Sequence, residues 1–148
     1  MPGTRPWEDE ADFEVLAFQA GTIEKFAIPV EFVIHADEIM DLARAPGSPP
    51  HVAGIASFRG KSMAAARMDI ILGLDSPGPF SKALICGTLG DPVCILASSV
   101  DRIIRIGKSG IRPAPAGCRE EIGALALLPG ERLMSILDFS KLRAALLS

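Results

Sequence analysis

The sequence predicts an all-β chain, mainly strands with short helices, folded as small barrels or a sandwich. Three observations carry this. Apolar stretches of strand length are separated by Gly, Pro and Asp turn signals about 8–12 residues apart. The second half reads as hairpins, Ala83 to Leu89 with Val93 to Ala97 and Ile122 to Leu128 with Arg132 to Leu137. And Val52-Ala53-Gly54-Ile55-Ala56-Ser57-Phe58-Arg59-Gly60 is echoed by Glu121-Ile122-Gly123-Ala124-Leu125-Ala126-Leu127-Leu128-Pro129-Gly130, with glycine spacings of six and seven. The echo suggests two similar subdomains in one chain.

The elements follow in order. Residues 1–12 are polar and acidic and read as a flexible N-terminal arm, leaving 13–148 as a single domain. Phe13 to Phe18 and Phe26 to Val30 read as strands joined by a turn at Ala20-Gly21-Thr22. Pro29 marks an edge or a strand end, because proline cannot donate to a ladder. Residues 44–50 are a Pro/Gly loop, and Val52 to Phe58 is a strand ended by Arg59-Gly60. Residues 62–72 are ambiguous: Ser62 to Met68 has high helix propensity, and Ile70-Ile71-Leu72 extends the apolar run to Gly73. Residues 75–79 form a connection. Ala83 to Leu89 and Val93 to Ala97 flank a turn at Gly90-Asp91-Pro92. Val100 to Ile106 carries apolar residues at 100, 103, 104 and 106, and residues 107–119 read as a loop. Ile122 to Leu128 and Arg132 to Leu137 flank Pro129-Gly130-Glu131, and Asp138 or Ser140 can cap a last short helix ending at Leu147.

Composition bounds the function. A chain of 148 residues with 49% hydrophobic content buries about 70% of its unfolded surface and needs no metal or disulfide staple. Ten acids and two bases fall within residues 1–41, a charge of −8, and the rest of the chain carries +5. That is either two solvated faces or a dipolar surface that orients a partner protein. Aromatic residues make up 5%, the net charge is −3 and the bases are scattered, which disfavours nucleic acid. Three cysteines without a CxxC and a leaderless start predict a cytoplasmic protein. No apolar run reaches the roughly 18 residues a membrane span needs, so no direct membrane insertion is expected.

No catalytic constellation emerges. Gly54 to Ser62 imitates a phosphate-binding loop, but five residues separate its glycines instead of four, so the backbone N–H groups would not wrap a phosphate in register. A strand ending in a tight turn, with Gly60 at an unusual dihedral, is the simpler reading. His35 and His51 have no partner at zinc-ligand spacing, so neither metal nor cofactor is expected. Cys86 and Cys94 lie in apolar runs as small hydrophobes. Glu120 and Glu121 would point apart in a strand. Arg59, between Phe58 and Gly60, is either an exposed turn arginine or one that orders a neighbouring segment through its forked guanidinium.

Phe26-Ala27-Ile28-Pro29-Val30-Glu31-Phe32-Val33, then Pro46, Pro49-Pro50-His51 and the run Val52 to Gly60, then Leu72-Gly73-Leu74, resemble the CheW-type chemotaxis coupling proteins. The interval from Arg59 to Leu74 keeps the family's spacing, Pro92 to Ile106 resembles its strand pair, and Gly123 to Leu147 resembles its closing segment. The resemblance implies a CheW-like fold of two packed five-stranded, SH3-like β-barrels. It implies a non-enzymatic adaptor in chemotaxis-type, two-component signal transduction. The implied partners are the matching regulatory domain of a CheA-type histidine kinase and the cytoplasmic tip of a chemoreceptor, with the protein recruited to membrane receptor arrays. The alternative is a small β-barrel ligand-binding protein or enzyme unrelated to chemotaxis.

The departures mark a divergent member. Ala64 and Arg67 replace a usual proline and aspartate, Ser57 an asparagine, and His35 a frequent glutamate; Cys94 and Ser98 depart from the family's strand-pair pattern. The residues expected to contact partners are Val33, Ile34 and His35 on the early strand, with Ile55, Phe58, Arg59 and Gly60 near the turn. Their apolar members would anchor a receptor's helical tip in a groove.

Overall fold

Runs such as Val15-Leu16-Ala17-Phe18 and Val93-Cys94-Ile95-Leu96-Ala97 lack the apolar–polar alternation of a strand with one wet face. The computed structural model describes residues 5–20, 25–39, 42–74, 80–130 and 132–147, and it shows why. These strands are covered on both faces.

The chain order is α1 (Pro6–Asp9), β1 (Asp12–Gln19), β2 (Lys25–Pro29), a one-turn 3-10 helix (Val30–Phe32), β3 (Val33–Glu38), β4 (Val52–Phe58), β5 (Lys61–Ala66), α2 (Met68–Ile71), β6 (Lys82–Thr88), β7 (Asp91–Ala97), β8 (Ser99–Gly107), a second 3-10 turn (Lys108–Gly110), β9 (Ile111–Pro113), β10 (Ile122–Leu128), β11 (Arg132–Leu137) and α3 (Phe139–Leu147). They build two sheets, ordered β8-β1-β2-β11-β10-β9 and β3-β6-β7-β5-β4. Each is antiparallel except for one parallel pair, β2 with β11 and β5 with β7.

Alternate residues of the central strands feed different cores. Val15, Ala17 and Ala27 join Trp7, Phe13, Ala126, Met134 and Ile136 inside the six-stranded sheet. Ile85, Cys94 and Leu96 join Ala56, Met63 and Ala65 inside the five-stranded one. Their strand neighbours Leu16, Phe18, Phe26, Ile28, Leu84, Val93 and Ile95 meet, with α2 and α3, in a central cluster shared by both sheets. Each fully buried Phe, Ile or Leu contributes roughly 1.5–3 kcal/mol, so this shared cluster holds the two halves as one body.

The internal echo is real. Val52 pairs with Ala66 and Ala56 with Met63 in β4–β5; Ile122 pairs with Leu137 and Ala126 with Met134 in β10–β11. Both hairpins have a bulge after the first pair, and each runs into a helix. The later glycines, Gly60 and Gly130, occupy equivalent turns. The earlier ones do not correspond: Gly54 faces Ala65, and its counterpart facing Ile136 is Ala124. One half is assembled from β1, β2 and β8 to α3, and the other from β3 to β7.

Several expectations change. Residues 5–12 are tied down rather than free: Trp7 is 6% exposed and Arg5 Nε donates to Asp138 at 2.8 Å. Residues 1–4 lie outside the described residues, as do the expected turn at Gly21-Thr22 and the connection 75–79. Residues 61–66 are strand despite their helix propensity. Ala65 and Ala66 have no exposure, and burial between two cores overrides propensity. The β6–β7 turn is Leu89-Gly90, since Thr88 already pairs with Asp91 and Gly87 with Pro92. The stretch 107–119 holds the short β9, which pairs with β10 and gives that sheet six strands instead of five. Pro113 sits at the sheet's outer edge, where its missing donor costs nothing. Asp138, not Ser140, caps α3, its Oδ1 accepting from Lys141 N at 3.2 Å.

Candidate functional site

β3 and β4 are the two ends of the five-stranded sheet, yet the rings of His35 and Phe58 stack at 5.1 Å and 27°. The sheet therefore curls until its ends meet, and side chains close the seam. A cleft of about 320 Å³ opens there, lined by His35, Asp37, Ile39, Leu42, Phe58 and Arg59.

β4 ends at the seam in a two-residue turn, with Phe58 paired to Lys61. Both turn residues have positive φ, 50° at Arg59 and 78° at Gly60. This is the primed geometry that matches strand twist and favours Asn-Gly. Gly60 adopts it freely, whereas Arg59 is strained. Arg59→Asn is thus expected to stabilise by about 0.5–1 kcal/mol and Gly60→Ala to cost about 1 kcal/mol, read by thermal or urea melts.

The Arg59 guanidinium lies 4.9 Å from the Phe58 ring centroid and makes no hydrogen bond or ion pair with any described residue. Of the two sequence readings, the exposed turn arginine is the one observed. His35 Nε2 lies 3.2 Å from Asp37 Oδ2. The Glu38 backbone N–H, at 2.7 Å, and then His35 hold the Asp37 carboxyl below its ordinary range.

His35, Phe58 and Arg59 thus converge, and Gly60 shapes the turn beside them without lining the cleft. The other expected contacts do not join them. A bulge between Val33 and His35 turns Val33 onto the central cluster, while Ile34 packs on the same inner core as Phe58, Ile39 and Leu42 without lining the cleft. Ile55 lies on the opposite face of β4 from Ala56's buried neighbours, with its backbone bridged to Ala43. The sequence reading missed Asp37, Ile39 and Leu42. The signal for Asp37 and Ile39 was the two-residue period that starts at His35; Leu42, beyond β3, carried none.

A second groove of about 660 Å³ runs between the first 3-10 turn, the β6–β7 turn and α3. Phe32 and Phe139 stack on its floor at 4.9 Å, and Arg143 pairs with Asp91 across it. Burial, and then the nearby Glu10 charge, push the Glu31 carboxyl at its rim upward. A carboxyl whose folded pKa exceeds its unfolded value destabilises when ionised, and the penalty is relieved as pH falls through the folded pKa. Glu31→Gln is therefore expected to raise Tm at neutral pH and to leave it unchanged once Glu31 is protonated.

Burial pushes the Cys94 thiol to about 12 and the Cys86 thiol higher still, so neither is a nucleophile near neutrality. Among the described residues no three His, Cys, Asp or Glu side chains cluster to hold a metal, and no helix is long and apolar enough to cross a membrane.

The CheW-like domain family matches this sequence over residues 14–146. The chain belongs to the CheW-like family. Among solved structures, the scaffolding protein TtCheW from Thermoanaerobacter tengcongensis superposes with a TM-score of 0.77, at 18% identity, over 84% of this chain and 88% of that one. At that identity the likeness is one of fold. No curated protein matches the sequence. The CheW-like chain thus has the two packed β units expected of its family.

Proposed function

We propose that this CheW-like chain is a non-enzymatic adaptor that couples chemoreceptors to a CheA-type histidine kinase through protein–protein contacts, with a receptor's helical tip seated in the β3–β4 seam. The observation that carries this is the unpartnered Arg59 cation, held over Phe58 and beside His35 at the mouth of an apolar cleft. The α3 groove is larger, but its Arg143 and Asp91 already satisfy each other. A coupler of this kind acts by binding free energy: it holds kinase and receptor in one geometry, so a change in the receptor shifts the kinase's equilibrium.

The test is co-purification from the source cell with the tagged chain and an Arg59→Ala variant. Arg59 makes no hydrogen bond or ion pair with a described residue, and its exposed contact with the Phe58 ring is worth about 0.5–1 kcal/mol, so the variant should stay folded and melt within about 4 °C of wild type. Wild type should recover a histidine kinase and receptors, and the variant should lose the receptors. A folded variant that keeps them overturns the assignment of the seam, and a wild type that recovers neither overturns the adaptor reading.

A further inference from the structure

The pseudo-repeat implies a second seam. The two parallel pairs fix the correspondence: Ala65 stands beside Cys94 in one half, and Ile136 beside Ala27 in the other. Across the sheet from Cys94, Ile85 leads to His35. Across the sheet from Ala27, Ala17 leads to the β8 bulge, where Asp101 and Arg102 lie between the paired Val100 and Ile103. Two residues further on, Asp37 faces Ala83 and Ile104 faces Val15. On the opposite wall, Leu128 paired with Arg132 takes the place of Phe58 paired with Lys61.

A cleft of about 440 Å³ lies at this second seam, lined by Arg102, Ile104, Arg105, Leu128, Pro129 and Arg132. β9 pairs only with Ala124 to Ala126, so it closes the seam lower down and leaves the Leu128 end open. Ile104 and Leu128 pack on the core inside the six-stranded sheet, which makes the floor apolar. The charge is of one sign. Where the first seam has His35 and Asp37, the second has arginines and no acid among its described lining residues. Arg105 donates to Asp12 at 3.0 Å, and Asp101 pairs with Lys25 at 3.4 Å. Arg102 and Arg132 have no hydrogen-bond or ion-pair partner among the described residues.

We infer that the β8–β10 seam is a binding site for a small phosphorylated molecule with an apolar or planar body. Charge and shape select this class. Positive groups gathered in a cleft with no acid among them concentrate anions there. A guanidinium presents a planar fork that matches phosphate oxygens two at a time. Arg102 on β8 and Arg132 on β11 take the phosphoryl group from the two sides of the seam, and two cations match a phosphate dianion better than a single carboxylate. Ile104, Leu128 and Pro129 cover the body. The cleft falls within the roughly 300–1,000 Å³ of small-ligand pockets. The first seam is no such site, because Asp37 faces into it. The inference goes beyond the adaptor reading and stands independently of it, since the cleft belongs to the other half of the chain.

The test is calorimetric titration of the full chain with phenyl phosphate at about pH 7.5, where a phosphate ester is mostly dianionic. Inorganic phosphate and phenol serve as the two halves of the probe. Saturable binding at one site is expected, roughly tenfold or more tighter for phenyl phosphate than for inorganic phosphate, with none for phenol. Arg102→Gln and Arg132→Gln, both at exposed positions, are each expected to weaken phenyl phosphate roughly tenfold or more. Lys61→Gln, at the corresponding place in the other half, is expected to leave it unchanged. No saturable binding of phenyl phosphate overturns the site, as does binding unchanged in both arginine variants. Equal weakening by Lys61→Gln overturns it too, since the attraction would then be one of net charge. Inorganic phosphate bound as tightly as phenyl phosphate overturns the apolar half of the assignment. Each of these results leaves the adaptor reading standing, so the two fail separately.

Discussion

Replacing Trp7 by alanine is expected to destabilise the chain by about 3–5 kcal/mol, the cost of deleting a buried aromatic. At this chain length that lowers Tm by roughly 10 °C or more. The residue lies in an acidic N-terminal stretch outside every strand. Its ring nevertheless packs against Phe13 at 6.4 Å and belongs to the core inside the six-stranded sheet. Gly123 makes the room. A Cβ at that position would stand 2.3 Å from the Trp7 ring, so only glycine lets the indole lie across the start of β10. Gly123→Ala should therefore push the ring out from the opposite side. The chain has one Trp and no Tyr, which makes intrinsic fluorescence a direct reporter. Wild-type emission should be blue-shifted, as for a buried indole, and Gly123→Ala emission should move to the red. A Trp7→Ala protein that melts within about 1 °C of wild type would restore the flexible arm.

That segment shows where the sequence was legible. Strand positions followed from apolar runs because each run is buried on one or both faces of a sheet. The repeat followed from Val52–Gly60 and Glu121–Gly130 because two hairpins meet the same packing demand. What failed depended on contacts distant in sequence. Trp7 reads as part of a tail unless Gly123, more than a hundred residues away, is known to lie beneath it. Ala64-Ala65-Ala66 stays ambiguous, with a high helix propensity, unless β7 is known to run parallel beside it. At the seam, His35, Phe58 and Arg59 were legible only as three of the expected contact residues; that their side chains come together is seen in the structure. Val33 and Ile55 were apolar neighbours in sequence whose side chains the bulge and the strand alternation send elsewhere, and Ile34 packs beneath the seam without lining it.

The contact between the two ends of the chain yields the other large effect. Asp138 is 2% exposed, and its carboxylate serves two partners, Arg5 at 2.8 Å and the Lys141 backbone N–H at 3.2 Å. Arg5→Ala leaves the carboxylate buried with only the helix N-terminus to balance it. Breaking a fully buried pair costs about 3–5 kcal/mol; Arg5 keeps 38% of its side chain in water, which brings the expected loss down to about 2 kcal/mol. Asp138→Asn removes the charge and retains an oxygen for the cap, so alone it should cost about 1 kcal/mol. In the Arg5→Ala background the same change should recover stability, because it removes the charge that lost its partner. The double variant should thus be more stable than Arg5→Ala, with a coupling of about 1–2 kcal/mol from urea melts of the four proteins. Costs that add within about 0.5 kcal/mol would mean that the two groups are energetically uncoupled, and that α1 rests on Trp7 alone. Coupling of the expected size would make residues 5–9 and α3 one unit. The N-terminal segment would then set the position of the helix that lines the larger groove, and a change at one end of the chain would be felt at the other.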